Sequence, residues 1–192
     1  QGTVRPLDAL VEEYGQHLKP NQLIRVDGQI MAVGMMVNTQ HLMYRKDIFD
    51  ELGLDVPKTY DEVLEAARVI EESGVVEYPL GMTMKSGWNI GQDFNNMFIG
   101  YGGWFYDDEG MPTVNTEAGV SALETMKALT EYADPEVLVS DSTYVQQQFQ
   151  QGMIAMANLW ASRGGAMDNA EESQVVGDVY AAAAPRAVEG GP

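Results

Sequence analysis

Cysteine is absent from this chain, which removes disulfides, thiolate nucleophiles and cysteine-based zinc sites together and leaves the redox compartment open. Histidine is nearly absent too: His17 and His41 stand alone, with no partner at metal-ligand spacing, so a zinc centre is not expected. Basic residues are scarce, 11 against 29 acids, for a net charge of −18. A field of that sign repels phosphate backbones and anionic membrane surfaces, so nucleic acid is not an expected partner. It also fits a protein kept soluble in salty surroundings. No apolar run approaches the length of a membrane span. The chain has no P-loop, no G-x-S-x-G and no nucleophile–base pair, and neither an internal repeat nor a low-complexity tract.

What is present suits a globular α/β protein. The 192 residues, 45% of them hydrophobic, suffice for one filled core or for one lobe of something larger. Gln1-Gly2-Thr3-Val4-Arg5-Pro6 shows no charged segment followed by an apolar run, and Val188-Glu189-Gly190-Gly191-Pro192 stops abruptly. The expectation is a piece of a longer exported protein. Apolar spacing predicts helices over 6–18 (Leu7, Leu10, Val11, Tyr14 and Leu18 inward), 59–72, 88–101 and 116–132 (Val120, Leu123, Met126 and Leu129 inward), with another capped by Asp141 or Ser142. A further helical turn is expected at 169–172. Apolar runs at 30–37, 78–83, 153–159 and 175–184 read as strands. Helices alternating with short strands argue a layered α/β architecture.

The most informative stretch is Tyr44-Arg45-Lys46-Asp47-Ile48-Phe49 running into Gly53, then Pro57-Lys58-Thr59-Tyr60-Asp61-Glu62. It reads as a short helix ended by Gly53, a proline turn, and a new helix opened by a capping box. In that box Thr59 accepts from the N–H of Glu62, and Glu62 returns a bond to Thr59. The cap is expected at the outer end of its helix, remote from any ligand.

The order Y-x-K-D-x-F, x-x-x-G-L, x-x-P-x-T-x-x-E resembles the solute-binding proteins of ABC importers, specifically the sugar-capturing group related to maltose-binding protein. Further pieces follow in family order: Asp27-Gly28-Gln29-Ile30 as the strand crossing between lobes, with Gly34 near where the family often has proline; Gly102-Gly103 with the Asp107 to Gly110 turn; Phe149-Gln150-Gln151-Gly152-Met153 into a strand that ends by Trp160; and Val176-Gly177-Asp178 towards Pro185. The resemblance implies a periplasmic-binding-protein-like (type II) lobe, layered helices on a short-stranded mixed sheet. On that reading residues 1–28 are the tail of the first lobe and the approach to the hinge, and 29–192 are the second, C-terminal ligand-binding lobe, ending at a hinge crossing. It implies a monomeric, non-catalytic receptor that hands a sugar or polyol to a membrane permease. No cofactor is implied. The location implied is periplasmic or extracellular, with a lipid anchor as an option in the full-length protein.

Trp160, at the end of a strand, stands where open α/β sheets place ligands. Its indole is either a stacking plate for a pyranose face or a packed core ring, and the resemblance favours the plate. Trp88 with Asn89 opens a helix and suits a ligand-facing N-terminus, while Trp104 either stacks or covers the core. Arg163 either forks onto ligand hydroxyls or pairs with Asp168 or Glu171. Asn38, with Thr39 and Gln40, offers amide and hydroxyl groups to a ligand or caps a loop. These six positions (Trp160, Trp88, Asn89, Arg163, Trp104 and Asn38) are the candidate ligand contacts. The competing reading is a carbohydrate-active hydrolase lobe, resting on Asp107, Asp108 and Glu109. Those acids sit side by side before Gly110, where solvated turn carboxylates are the commoner case.

Overall fold

The computed structural model describes residues 3–188. The outermost parts of the expected first-lobe tail and of the closing hinge crossing, residues 1–2 and 189–192, lie outside the described residues. The chain divides into two compact units, the first ending at Thr39 and the second beginning at Gln40.

In the first unit the Asp-Gly signal makes a two-residue hairpin turn. Asp27 (φ 50°) and Gly28 (φ 80°) both adopt the left-handed backbone that such a turn requires. They join β1 (Leu23–Val26) to the antiparallel β2 (Gln29–Val33). The strand expected over 30–37 stops at Val33. Gly34 N donates to Gln22 O (2.7 Å) and closes the open end of the hairpin, and Met35, Met36 and Val37 beyond it are exposed. The helix expected over 6–18 is likewise shorter: α1 (Asp8–Tyr14) buries none of its residues. Leu10 and Tyr14, expected inward, are exposed, because among the described residues of this unit only Ile30 is a buried apolar side chain to pack against.

In the second unit the signature stretch folds as its residues dictate. After β3 (Gln40–Arg45) comes α2 (Lys46–Leu52), with Ile48 and Phe49 buried and Gly53 left-handed at its end (φ 65°). Helix α3 (Tyr60–Ser73) is capped by Thr59, whose hydroxyl accepts from Glu62 N at 3.2 Å. The return half of the expected box is displaced by one residue, since Glu62 Oε2 accepts from the N–H of Lys58 and not from that of Thr59. Tyr60 N donates to Arg186 O (3.1 Å) and Arg186 N to Lys58 O (2.9 Å), so this helix start is tied to the segment around Arg186. Thr59→Ala is therefore expected to lower stability by about 1 kcal/mol, which denaturant unfolding would measure. An unchanged midpoint would mean that the hydroxyl does no capping.

The remaining elements are β4 (Tyr78–Gly81), α4 (Trp88–Gly100), α5 (Glu117–Thr130), α6 (Ser142–Gln150, capped by Asp141), β5 (Ile154–Trp160), α7 (Gly164–Met167) and β6 (Val179–Ala182). A 3-10 turn at Ala161–Arg163 joins β5 to α7, and the helical turn expected at 169–172 follows, with Asn169 O accepting from Glu172 N (3.0 Å) and Ser173 N (2.8 Å). On α5 the buried stripe is Gly119, Ala122, Met126 and Leu129, whereas Val120 and Leu123, expected inward, are more than half exposed. Close approach sets that rotation: a Cβ at Gly119 would lie 1.9 Å from Val114 O, so only glycine fits on the packed side.

The strands form a mixed sheet in the order β4-β5-β3-β6. β4 is parallel to β5, while β5 and β6 are both antiparallel to β3. One face, carrying Leu42, Leu80 and Met156, packs against helices α2 to α5. The other, carrying Met43, Ala157 and Leu159, packs against Val145 and Phe149 of α6 and Met167 of α7. The α/β fold with helices layered on a short mixed sheet is as the sequence predicted. This direction of the strands also gathers the C-terminal ends of β4, β5 and β6 and the start of β3 along one edge.

Candidate functional site

That edge carries Trp160, the last residue of β5, directly opposite Gln40, the first of β3. Side chains alternate along a strand, so Trp160 shares a face with Asn158 and with their cross-strand partners Gln40 and Leu42, the face covered by α3 and α4. Trp160 is half-buried, which leaves part of an indole plane at the end of the sheet. Asn158, one step inward, donates to the Tyr60 hydroxyl (3.1 Å). Burial, with the nearby Asp93 carboxylate adding to it, pushes the pKa of Tyr60 well up. Thr59 precedes Tyr60, so the α3 cap stands at this edge and not at a remote outer end.

The loop leaving β4 brings Thr83 to the same place and then starts α4, with Trp88 exposed and Asn89 half-buried in its first turn. One turn on, Asp93 is buried. Gln40 Nε2 donates to its Oδ1 (3.2 Å) and Thr83 Oγ1 to its Oδ2 (3.1 Å). Gln40 Oε1 in turn accepts from Asn96 Nδ2, and Asn96 Oδ1 accepts from Gln92 Nε2 (3.3 Å). Burial pushes the Asp93 carboxyl up to about 6, against the opposing effect of its bonds from Gln40 and Thr83. Because folding raises this pKa, ionising Asp93 costs the fold stability as pH rises from 3.8 to about 6, the opposite sign to a salt-bridged carboxylate.

Asp93 is not among the six contacts expected from the sequence. A signal was there: an acid heading the i, i+4, i+7 stripe of Asp93, Met97 and Gly100, all of them buried. Beneath the edge, Tyr60, Asp93, Asn158 and Leu129 line a cavity of about 30 Å³, room for a water-sized molecule. A sugar-sized ligand has to sit above it.

The other candidates are placed differently. Arg163 is half-buried, and its guanidinium donates to Gln146 Oε1 (2.9 Å), Ser142 Oγ (3.0 Å) and Thr143 Oγ1 (3.1 Å). Those bonds tie the 3-10 turn after Trp160 to the start of α6, on the opposite sheet face, and none of them goes to Asp168 or Glu171. Trp104 is 72% exposed and so does not cover the core. It follows the C-terminal end of α4, a helix of 13 residues, and so stands roughly 20 Å from Trp88 at the other end. It borders a separate surface groove with Gly102, Tyr106 and Thr116. Asn38 is half-buried in the first unit, in a segment without regular secondary structure. Of the six expected contacts, Trp160 ends a strand at this edge and Trp88 and Asn89 open α4, the helix that carries Asp93. Gln40, expected with Asn38 and Thr39 as a source of amide groups, pairs with Trp160.

Asp107 of the acidic turn accepts backbone N–H bonds from Glu109 (3.0 Å) and Met111 (2.8 Å), the work of a turn residue. Among the described residues no group of three or more His, Asp or Glu is placed to hold a metal ion. No described helix is long and apolar enough to cross a membrane.

Comparison with known proteins places this architecture. The family model for bacterial extracellular solute-binding proteins matches residues 1–190. A solute-binding protein of an ABC transporter from Agrobacterium radiobacter K84, solved with ribitol, superposes with a TM-score of 0.85 at 27% identity, over 100% of this chain and 50% of that one. Another from Agrobacterium vitis S4, solved with D-mannitol, gives 0.78 at 26% identity, over 95% and 46%. A Sinorhizobium fredii protein named as the periplasmic-binding protein of a probable amino-acid ABC transporter is 27% identical over 158 residues, 79% of this chain and 36% of its own length. The chain therefore spans about half the length of these solved structures and about a third of that relative. Its fold is that of a type II periplasmic-binding-protein lobe. With the family model matching almost end to end, this chain belongs to the bacterial extracellular solute-binding protein family.

Proposed function

We propose that the chain is the ligand-capturing lobe of a sugar or polyol receptor that delivers its substrate to an ABC transporter permease by hinge closure, without catalysis. Residues 1–28 would be the tail of the first lobe and 29–192 the second lobe. The observation that carries this reading is a half-buried indole plane, Trp160, at a sheet edge rich in amide side chains. Apolar C–H faces of a sugar or polyol stack on an aromatic plane while their hydroxyls need paired donors and acceptors. Trp160, Trp88, Asn89 and Gln40 are the contacts that this edge favours. Arg163 acts behind them by fixing the turn after Trp160, and Asn38 is read as a lesser contact, whereas Trp104, which borders its own groove, lies outside the contact set. The ribitol and D-mannitol held by two neighbours above 25% identity point to the same ligand class. The receptor would be a monomer in the periplasm or outside the cell, lipid-anchored or free.

The test is a thermal-shift and tryptophan-fluorescence screen of the full-length protein against ribitol, D-mannitol, maltose and a set of amino acids. The amino acids belong in the screen because one relative is named for them. A polyol or sugar is expected to raise the melting temperature, corresponding to about 2.7 kcal/mol at a hundredfold excess over Kd, and to remain chemically intact after long incubation. A shift with amino acids alone would overturn the ligand class, and cleavage of a glycoside would overturn the receptor.

A further inference from the structure

Four side chains at the sheet edge form one hydrogen-bonded series that runs in a single direction and ends on a buried carboxylate. Asp93 is 7% exposed and has both oxygens engaged. An ionised carboxylate offers acceptors only, so Gln40 must turn its NH2 group towards Asp93, which aims Gln40 Oε1 at Asn96. Asn96 must then present its own NH2 group to Gln40, which leaves Asn96 Oδ1 for the NH2 of Gln92. Each amide orientation follows from the one before it, and the first is set by charge. Gln40 stands opposite Trp160 in the ladder, so the oriented amides and the indole plane share one edge.

We propose that Asp93 is a positioning residue for ligand recognition: its ionised carboxylate fixes the orientation of the Gln40, Asn96 and Gln92 amides, and so the order of donors and acceptors that the edge beside Trp160 offers to a polyhydroxyl ligand. The proposal rests on reading that edge as the ligand site. Protonated, Asp93 gains an O–H donor and can face either end of the Gln40 amide. The directional constraint then disappears along the whole series, since its members are coupled through shared bonds. The carboxyl titrates near pH 6, within reach of ordinary solution conditions.

The groups around Asp93 leave it as the titrating member. From α3 it meets Tyr60, whose pKa is pushed far above this range. From the loop after β4 it meets Thr83, and Lys85 two residues on is paired with Asp141 at 2.9 Å. Leu129 of α5 and Pro185 line the adjoining cavity without charge. Helix α4 itself contributes Met97, and β3 contributes Gln40. His41, next along β3, alternates to the opposite face of the sheet.

Two measurements on full-length protein test the proposal, each comparing wild type with Asp93→Asn, which keeps the side chain's size and removes its charge. In the first, side-chain NH2 resonances of Gln40, Asn96 and Gln92 are followed by NMR from pH 4.5 to 8 without ligand. They are expected to shift together with a midpoint near 6 in wild type and to lose that titration in Asp93→Asn. In the second, calorimetry with ribitol, D-mannitol and maltose is repeated at pH 7.5 and 5. Wild-type affinity is expected to fall about fivefold to tenfold at the lower pH, and Asp93→Asn to bind about tenfold more weakly at both. Its melting temperature at pH 7.5 should be unchanged or higher, because a buried charge has gone. A merely structural Asp93 would instead lower the melting temperature and leave the pH profile of binding alone. Amides that do not titrate together, or a variant that keeps the wild-type pH profile, would overturn the proposal. Wild type that binds none of the three compounds while its amides titrate would overturn the ligand class and leave the amide brace standing.

Discussion

Trp160→Ala in the full-length protein is expected to weaken sugar or polyol binding by about 2 kcal/mol, roughly thirtyfold, whereas Trp104→Ala changes it less than about twofold. The difference follows from placement. Trp160 is half-buried at the end of β5, opposite Gln40 and on the same sheet face as the Asp93 series. A ligand stacked there would cover the rest of the ring and touch oriented amides at the same time. Trp104 is 72% exposed beyond the far end of α4 and has its own groove, so a ligand at the edge does not reach it. Calorimetry on the two variants makes the comparison, with circular dichroism confirming that both stay folded. Equal losses, or a larger loss at Trp104, would take the stacking plane away from Trp160.

Phe98→Ala should produce the largest loss of stability, about 3–5 kcal/mol, a substantial part of what a domain of this size possesses. Phe98 is completely buried. Its ring stacks on Phe94 (centroids 5.4 Å apart, planes 9° apart) and meets Phe105 at 5.2 Å. The chain leaving α4 passes so close that a Cβ on Gly103 would lie 2.2 Å from Phe98 Cε2. Backbone on one side and rings on two others cannot collapse into the space left by truncation, so the cavity cost is felt in full. Denaturant unfolding reads it directly, and a loss below about 1 kcal/mol would show that the cluster relaxes freely. Leu123→Ala, by contrast, should cost little, for that side chain is more than half exposed.

Phe98 and Leu123 illustrate what is legible in the sequence. Helical spacing alone places Phe98 inward, in line with Ile90, Phe94, Met97 and Tyr101, and by the same rule places Leu123 inward. Spacing fixes which residues share a face, but not which edge of that face meets a neighbour. On α5 the stripe is turned towards Gly119 and Ala122, because small residues let the helix approach the Val114 carbonyl more closely than leucine would allow. The 30–37 strand and the 6–18 helix were overextended for a related reason. An apolar run continues as regular structure only while a partner surface exists, and within the first unit that surface ends at Val33 and around Ile30.

Local chemistry was determined by the sequence itself. Gly53 in the left-handed region, Asp27-Gly28 at the hairpin and the Thr59 hydroxyl on Glu62 N all follow from one or two residues and their immediate neighbours, as does the α/β class from the alternation of periods. The edge assembly was decided by tertiary structure alone. Gln40, Thr83 and Asp93 are dozens of residues apart in part and become one hydrogen-bonded cluster only because β4, β5 and β6 run against β3 and end together. Whether an aspartate is a solvated surface acid or a buried, raised-pKa carboxylate depends on what covers it. The stripe that Asp93 shares with Met97 and Gly100 puts it on the packed side of α4, but Gln40 and Thr83 are brought to it only by the fold.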